Sequence, residues 1–318
     1  MTRIQQLLLE VESPYVGDPY FVTGHALYSA IARRVDAVTR QSIAVSHGVM
    51  LPCAYGSPVE GEASVRSGSK LGLSLPEVEA YADLFIFRDA AHRWVSASRP
   101  RDVTNTHPLQ RYGDRVAFAD EALFGRPAEK QAAKRTVSWA VQCYVHVPGD
   151  GVADDAVLPL ADAVLDGLQV GGSRNYGFGE LSVLDSQVVA LDELDYSRIT
   201  AADEHRLEVV MPFVLGSEFP GADEQDVPWW WDVQGRAATG GLRRRESRLV
   251  NGDDVFELET VDHGQTVPYA GDAPVATARN GVTRVGTHSR YGFGELRVRP
   301  ADSDRVPVRA EGRAGGDS

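Results

Sequence analysis

The chain has 318 residues, 43% hydrophobic and 24% charged, which is enough to bury one large core or two ordinary ones and excludes general disorder. Acidic residues outnumber basic ones 45 to 32, for a net charge of −13. A protein coating nucleic acid over its whole surface is therefore excluded, while a locally basic groove is not. Two cysteines, Cys53 and Cys143, cannot build a disulfide framework or a Cys-rich zinc site.

Lys70, Lys130 and Lys134 are the only lysines. An acidic, lysine-poor surface suits a high-salt cytosol, where screening relieves carboxylate repulsion; a GC-rich genome writing Arg for Lys accounts for it equally. Leu7-Leu8-Leu9 is too short for a signal segment, and no apolar run approaches a membrane span, so the expectation is a soluble, cytoplasmic protein.

In chain order, Ile4 to Val11 reads as a strand followed by turns at Ser13-Pro14 and Gly17-Asp18-Pro19. Thr23-Gly24 opens a helix whose Ala26, Leu27, Ala30, Ile31 and Val35 recur at helical spacing, with Arg33 and Arg34 on the polar side. A loop-rich insertion spans about 48–134. Thr136 to Val147, β-branched and aromatic, is the clearest strand, and Val157 to Leu168 reads as an amphipathic helix. A glycine loop and the strand Leu181 to Leu184 complete a first unit over 1–190. The order suits a ferredoxin-like (RRM-like) βαβ-βαβ unit with a large insertion. The acidic stretch 191–205 reads as a linker, Leu207 to Leu215 as the first strand of a second, β-rich unit over 205–300, and 301–318 as a flexible tail. The fold class is thus α+β, two ferredoxin-like domains, each with a glycine-rich loop before its last strand.

The strongest signal is an internal repeat. Residues 171–183 (GGSRNYGFGELSV) and 286–298 (GTHSRYGFGELRV) share Tyr-Gly-Phe-Gly-Glu-Leu-x-Val at an offset of 115, too long an identity for chance. Gly171, Gly172, Gly177 and Gly179 in one copy, and Gly286, Gly292 and Gly294 in the other, permit positive φ and close backbone approach. Amides exposed in such loops form a concavity for phosphate. Arg174 and Arg290 add a bidentate guanidinium, and Tyr176 and Tyr291 a face for a base, while Phe178 and Phe293 pin the loops to the core. The loop follows a helix and leads into a strand, the reverse of the dinucleotide fingerprint.

Three further features carry chemistry. Arg243-Arg244-Arg245 is a dense basic run that RNA phosphate, or the chain's own carboxylates, would neutralise. His25 opens the first helix and His47 follows it; either is a candidate general acid or base for attack by a 2′-hydroxyl, though a capping or core role fits both. The remaining histidines show no metal spacing, and neither a metal nor a cofactor is expected. Trp229-Trp230-Trp231 cannot all be buried on one strand face, so at least one should meet a partner protein or a base.

The glycine loop G-G-x-R-x-x-G-F-G-x-L at residues 171–181, between the last helix and last strand of a ferredoxin-like unit, resembles the signature of the RAMP superfamily of CRISPR-associated proteins. The helix start Thr23-Gly24-His25-Ala26-Leu27-Tyr28-Ser29-Ala30-Ile31 is similar to theirs. Within the superfamily the chain most resembles the two-domain subunit of type III effector complexes that holds the five-prime handle of the CRISPR RNA. The resemblance implies a non-catalytic RNA-binding scaffold whose partners are CRISPR RNA, a backbone RAMP subunit and a large signature subunit. Alternatives are a metal-independent CRISPR RNA-processing endoribonuclease using His25 or His47, and a protein–protein adaptor that binds no RNA.

Overall fold

The computed structural model describes residues 2–17, 21–55, 74–97, 103–105, 110–112, 115–117, 122–124, 137–148, 154–233, 241–251 and 254–303. The tail beyond 303 and most of the expected insertion lie outside them. Among the described residues no helix is long and apolar enough to cross a membrane, and no group of three or more His, Cys, Asp or Glu is placed to hold a metal ion.

The first unit is built on β1 (Arg3–Val11), α1 (Gly24–Ala32), β2 (Gly48–Tyr55), α2 (Ile86–Ala97), β3 (Val137–His146) and β4 (Glu180–Ala190). Its sheet runs β4-β1-β3-β2, every pair antiparallel, with Leu168–Gln169 added outside β4 and Phe21–Val22 outside β2. That is the ferredoxin-like order. The strands alternate between two buried faces. Leu7 and Leu9 of β1 and Val141, Cys143 and Val145 of β3 pack with Leu27 and Ile31 of α1. Ile4, Leu8, Ala140 and Tyr144 point the other way, into a core shared with the second unit. Thr23 caps α1, its hydroxyl accepting the Ala26 N–H at 3.3 Å.

Three sequence expectations for this unit are corrected. The insertion does not begin at residue 48, because Gly48–Tyr55 is the second strand of the sheet. Pro52 disguises it, and the ladder with β3 shifts register there, between Ser138 and Trp139. The helix expected over 157–168 is two short turns, Asp154–Val157 and Asp162–Leu165. Pro159 disfavours helical backbone at Leu158 and supplies no N–H. Residues 191–205 are not a bare linker: Leu191, Leu194, Tyr196 and Ile199 are buried, and Tyr196 stacks on Tyr81 with ring centroids 5.3 Å apart.

The second unit comprises β5 (His205–Val209), β6 (Phe213–Ser217), β7 (Arg244–Asn251), β8 (Asp254–Val261), β9 (Thr266–Pro268), α3 (Pro274–Val282) and β10 (Leu296–Pro300). The single strand expected over 207–215 is two, β5 and β6, parted at Met211-Pro212. The sheet β9-β5-β10, with α3 before β10, reproduces the third, first and fourth strands of the first unit. Where the first unit has α1, the second has the sheet β6-β8-β7. Its second strand is reduced to an isolated bridge between Trp231 and Tyr269. This is an α+β protein of two ferredoxin-like units, the second β-rich.

Helix α2 pins the units together through buried charge. Arg88 donates to Glu295 at 2.8 and 3.0 Å, to Ser46 Oγ at 3.1 Å and to the His47 carbonyl at 3.2 Å, with its plane over the Tyr144 ring. Arg297 of β10 donates both to Asp89 carboxylate oxygens at 3.0–3.1 Å. Burial alone would push the Arg88 guanidinium down, but the Glu295 carboxylate more than offsets this and holds it above its ordinary value.

Candidate nucleic-acid interface

The two glycine turns have one backbone. Each begins at a non-glycine residue in the left-handed region, Ser173 (φ 57°) or His288 (φ 60°), and enters a 3-10 turn, Arg174–Tyr176 or Ser289–Tyr291. Each leaves through glycines at positive φ, Gly177 and Gly179 or Gly292 and Gly294. The internal hydrogen bonds correspond one for one: Tyr176 N–H to Ser173 O and Tyr291 N–H to His288 O, both 2.9 Å; Gly179 N–H to Pro14 O and Gly294 N–H to Pro212 O, 3.0 and 2.8 Å. A Cβ on Gly179 would strike the Val170 carbonyl, and one on Gly294 the Val285 carbonyl, so only glycine fits either place.

Their surroundings differ. In the first turn Ser173, Arg174, Asn175, Tyr176 and Gly177 are all exposed, Tyr176 at 78%, and a Cβ on Gly177 would meet nothing within 4 Å. The left-handed-to-right-handed step at Ser173-Arg174 turns successive N–H groups of residues 173–175 to one side, and none of them is hydrogen-bonded among the described residues. The amides of Gly172, Tyr176, Gly177 and Gly179, by contrast, are all taken by protein carbonyls. Beside the nest lies a cationic group that sequence reasoning left as the mere polar side of α1. The Arg33 guanidinium is pushed down by burial and by the neighbouring Arg174 and Arg34 charges. Arg34 is spent on the carbonyls of Val164, Asp166 and Gly167. The Arg33 and Arg174 side chains make no hydrogen bond or ion pair with any described residue. An Arg pair where a helix ends was the signal available.

The second turn is packed against the first unit. Tyr291 lies edge-on to His25 and Tyr28, with centroids 5.0 and 5.3 Å away, and its carbonyl sits where a side chain on Gly24 would be. A Cβ on Gly292 would collide with His47. Phe293 is 3% exposed, and Arg290 donates to the Gln41 carbonyl beside Tyr28. Of the turn's named glycines Gly286 alone is solvent-exposed, and a Cβ there would still strike Gln225 and Phe213. The twin open loops expected from the repeat are therefore one open loop and one joint, because α1 and His47 occupy the space over the second.

The histidines follow from this. His47 is sealed, 0% exposed, its Nδ1 accepting the Gly24 N–H at 2.8 Å between Phe21 and Phe293. Burial, then Arg284 and Arg88, hold it well below its ordinary value, so it is neutral and has no path to a scissile phosphate. His25 is half-buried in the same joint and lowered by burial and by His288. On the hairpin sheet, Arg243 pairs with Asp262 at 2.9 Å and Arg244 with Glu259, so the chain's own carboxylates answer this basic run. Against desolvation that would raise it, the hydrogen bond from His263 and the charges of His263, Arg243 and Arg245 bring Asp262 down to about 2.

No protein-family model matches the chain, and no curated protein matches it. Among solved structures, one described as "CRISPR associated protein Cas6" aligns over 93% of this chain and 98% of its own, at 12% identity and a TM-score of 0.38. At that score the likeness carries no weight for function, which has to come from the site.

Proposed function

We propose that the chain is a non-catalytic, RAMP-type RNA-binding subunit that holds the backbone of a CRISPR RNA within a multi-subunit ribonucleoprotein. The observation that carries this reading is the open nest at 173–175, flanked by the unpaired Arg33 and Arg174 and by the exposed ring of Tyr176. An acidic protein keeps those guanidiniums together, against their mutual repulsion, at a place where backbone N–H groups converge. A phosphate satisfies both, and a base beside it can lie on the tyrosine. Arg290 and the Arg243–Arg245 run, already engaged internally, add potential rather than contacts. A backbone RAMP subunit and a large signature subunit are the protein partners this reading calls for.

The test is fluorescence anisotropy with a labelled CRISPR repeat RNA across a salt titration. Arg33→Ala and Arg174→Ala should each weaken binding about tenfold or more, as loss of a charge-assisted hydrogen bond does. Each should also flatten the log–log salt slope by about one for the phosphate released. Unchanged affinity in the double variant would refute the reading. Metal-independent cleavage that disappears in His25→Ala would move the protein to the endoribonuclease reading, since His25 is the one candidate base not sealed away.

A further inference from the structure

The segment 218–232 stands where a complete second strand of the second unit would be, and it is held at both ends. Gln225 ties it to β6 through its N–H to Leu215 O at 2.8 Å and its side-chain amide to Val214 O at 2.6 Å. At the other end Trp231 is buried against Phe213, ring centroids 5.2 Å apart, and Trp230 lies 6.0 Å from Tyr269. The bonds Ala270 N–H to Trp230 O (2.9 Å) and Asp232 N–H to Pro268 O (3.0 Å) lock this stretch to β9. Trp229, between these anchors, is 77% exposed and makes no ring contact with any described residue.

The charge along the segment is one-sided. Glu218, Asp223, Glu224, Asp226 and Asp232 fall within these fifteen residues, with no Lys or Arg among them. Asp223, Glu224 and Asp226 are exposed and have no ion-pair partner among the described residues. Like charge repels a phosphate backbone, so the indole is not placed for a nucleic-acid base. A large exposed apolar ring next to the anchored Trp230 and Trp231, on a segment whose charges are all acidic, has the make-up of an interface anchor: the ring governs how long a complex lasts, the charges how fast it forms.

We infer that this strap docks a separate protein whose surface is basic and offers an apolar pocket to the Trp229 indole. The inference does not rest on the RNA reading, which concerns a surface of opposite sign; each can fail alone.

The experiment places the photo-crosslinker p-benzoylphenylalanine at position 229 of the full-length chain, irradiates cells of its own organism and sequences the cross-linked peptide. The expected product joins this chain to another protein at a site rich in Lys and Arg, and falls at least tenfold when Asp223→Lys and Glu224→Lys are added. Both positions are exposed, and thermal unfolding of the purified variants verifies that the fold is kept. A cross-link to RNA, to a second copy of this chain or to nothing overturns the inference, as does one to a protein that survives the charge reversal. Trp229→Ala should leave repeat-RNA affinity within twofold of the parent; a larger loss would assign the indole to RNA instead.

Discussion

The first and second glycine turns carry the same Tyr-Gly-Phe-Gly-Glu-Leu on the same backbone, yet face different surroundings. Tyr176 stands in solvent while Tyr291 is wedged against His25 and Tyr28; Phe178 is partly covered while Phe293 is buried. Glu180 is exposed, whereas Glu295 is fully buried and holds Arg88. Local sequence sets the shape of a turn, and what packs over it sets its job. Here one copy is a surface and the other a hinge-pin between units.

The sharpest way to break that comparison is at the paired glutamates. Glu295→Gln removes one partner of a buried ion pair and leaves the Arg88 charge uncompensated, which costs about 3–5 kcal/mol. Glu180→Gln, at an exposed site, should fall within about 0.5 kcal/mol of the parent. Urea unfolding of the two variants checks this. Equal losses would mean that the copies are not differently employed.

The glycines sharpen the comparison by a smaller step. Gly292→Ala meets His47 as well as a backbone at φ 96°. Overpacking of about 1–3 kcal/mol therefore adds to about 1–2 kcal/mol for the left-handed conformation. Gly177→Ala, with open space around it, should show only the conformational share. Gly179→Ala and Gly294→Ala strike corresponding carbonyls and should lose stability alike, an internal control for the same denaturation experiment.

Acid should separate the two regions further. His47 and His146 are held well below their ordinary value by burial first, with nearby Arg284 opposing protonation of both and Arg88 that of His47. His146 Nδ1 lies 2.8 Å from the Arg284 guanidinium, which burial itself pushes down to about 10. Because the folded values are depressed, the unfolded chain takes up these protons first. Stability is complete above the unfolded value of about 6.5, and each histidine removes about 1.4 kcal/mol per pH unit as pH falls below it. Hydrogen exchange should therefore quicken in the start of α1 and in 288–292 before it does in 172–179. Simultaneous loosening would mean that the joint is not where the proton load falls.

Much of this layout was legible beforehand, for identifiable reasons. The apolar run of β1, the cap at Thr23 and the β-rich run of β3 are strong local signals, and the repeat announced two related units. What escaped notice depended on tertiary context. Pro52 spoke against a strand that a bulge accommodates, and Pro159 split a helix whose apolar spacing looked continuous. Leu191, Leu194, Tyr196 and Ile199 sit in an acidic stretch whose charge masked their burial. Helix α3 carries its Pro at the start and buries Ala278 and Val282 four residues apart, too slight a stripe to notice. The site was half legible: the turn's shape follows from its glycines, but no local pattern tells which copy α1 covers, or that Arg33 comes to lie beside Arg174 from a distance of 141 positions in the chain.

A near-zero effect on stability is expected at Tyr176, and the contrast with Tyr291 separates folding from binding most cleanly. Tyr176 has no ring contact among the described residues, so Tyr176→Ala should leave the unfolding midpoint within about 0.5 kcal/mol of the parent. Its loss should appear only against RNA, at about 1–3 kcal/mol for one stacked base, alike for each base because stacking reads no hydrogen-bonding edge. Tyr291→Ala inverts the pattern: it strips the ring from His25 and Tyr28 and should destabilise the joint before it alters RNA affinity. Calorimetry and anisotropy on the two variants give four numbers. If both tyrosines move both quantities together, the open turn and the joint form one coupled surface, and the division of labour between the repeats is wrong.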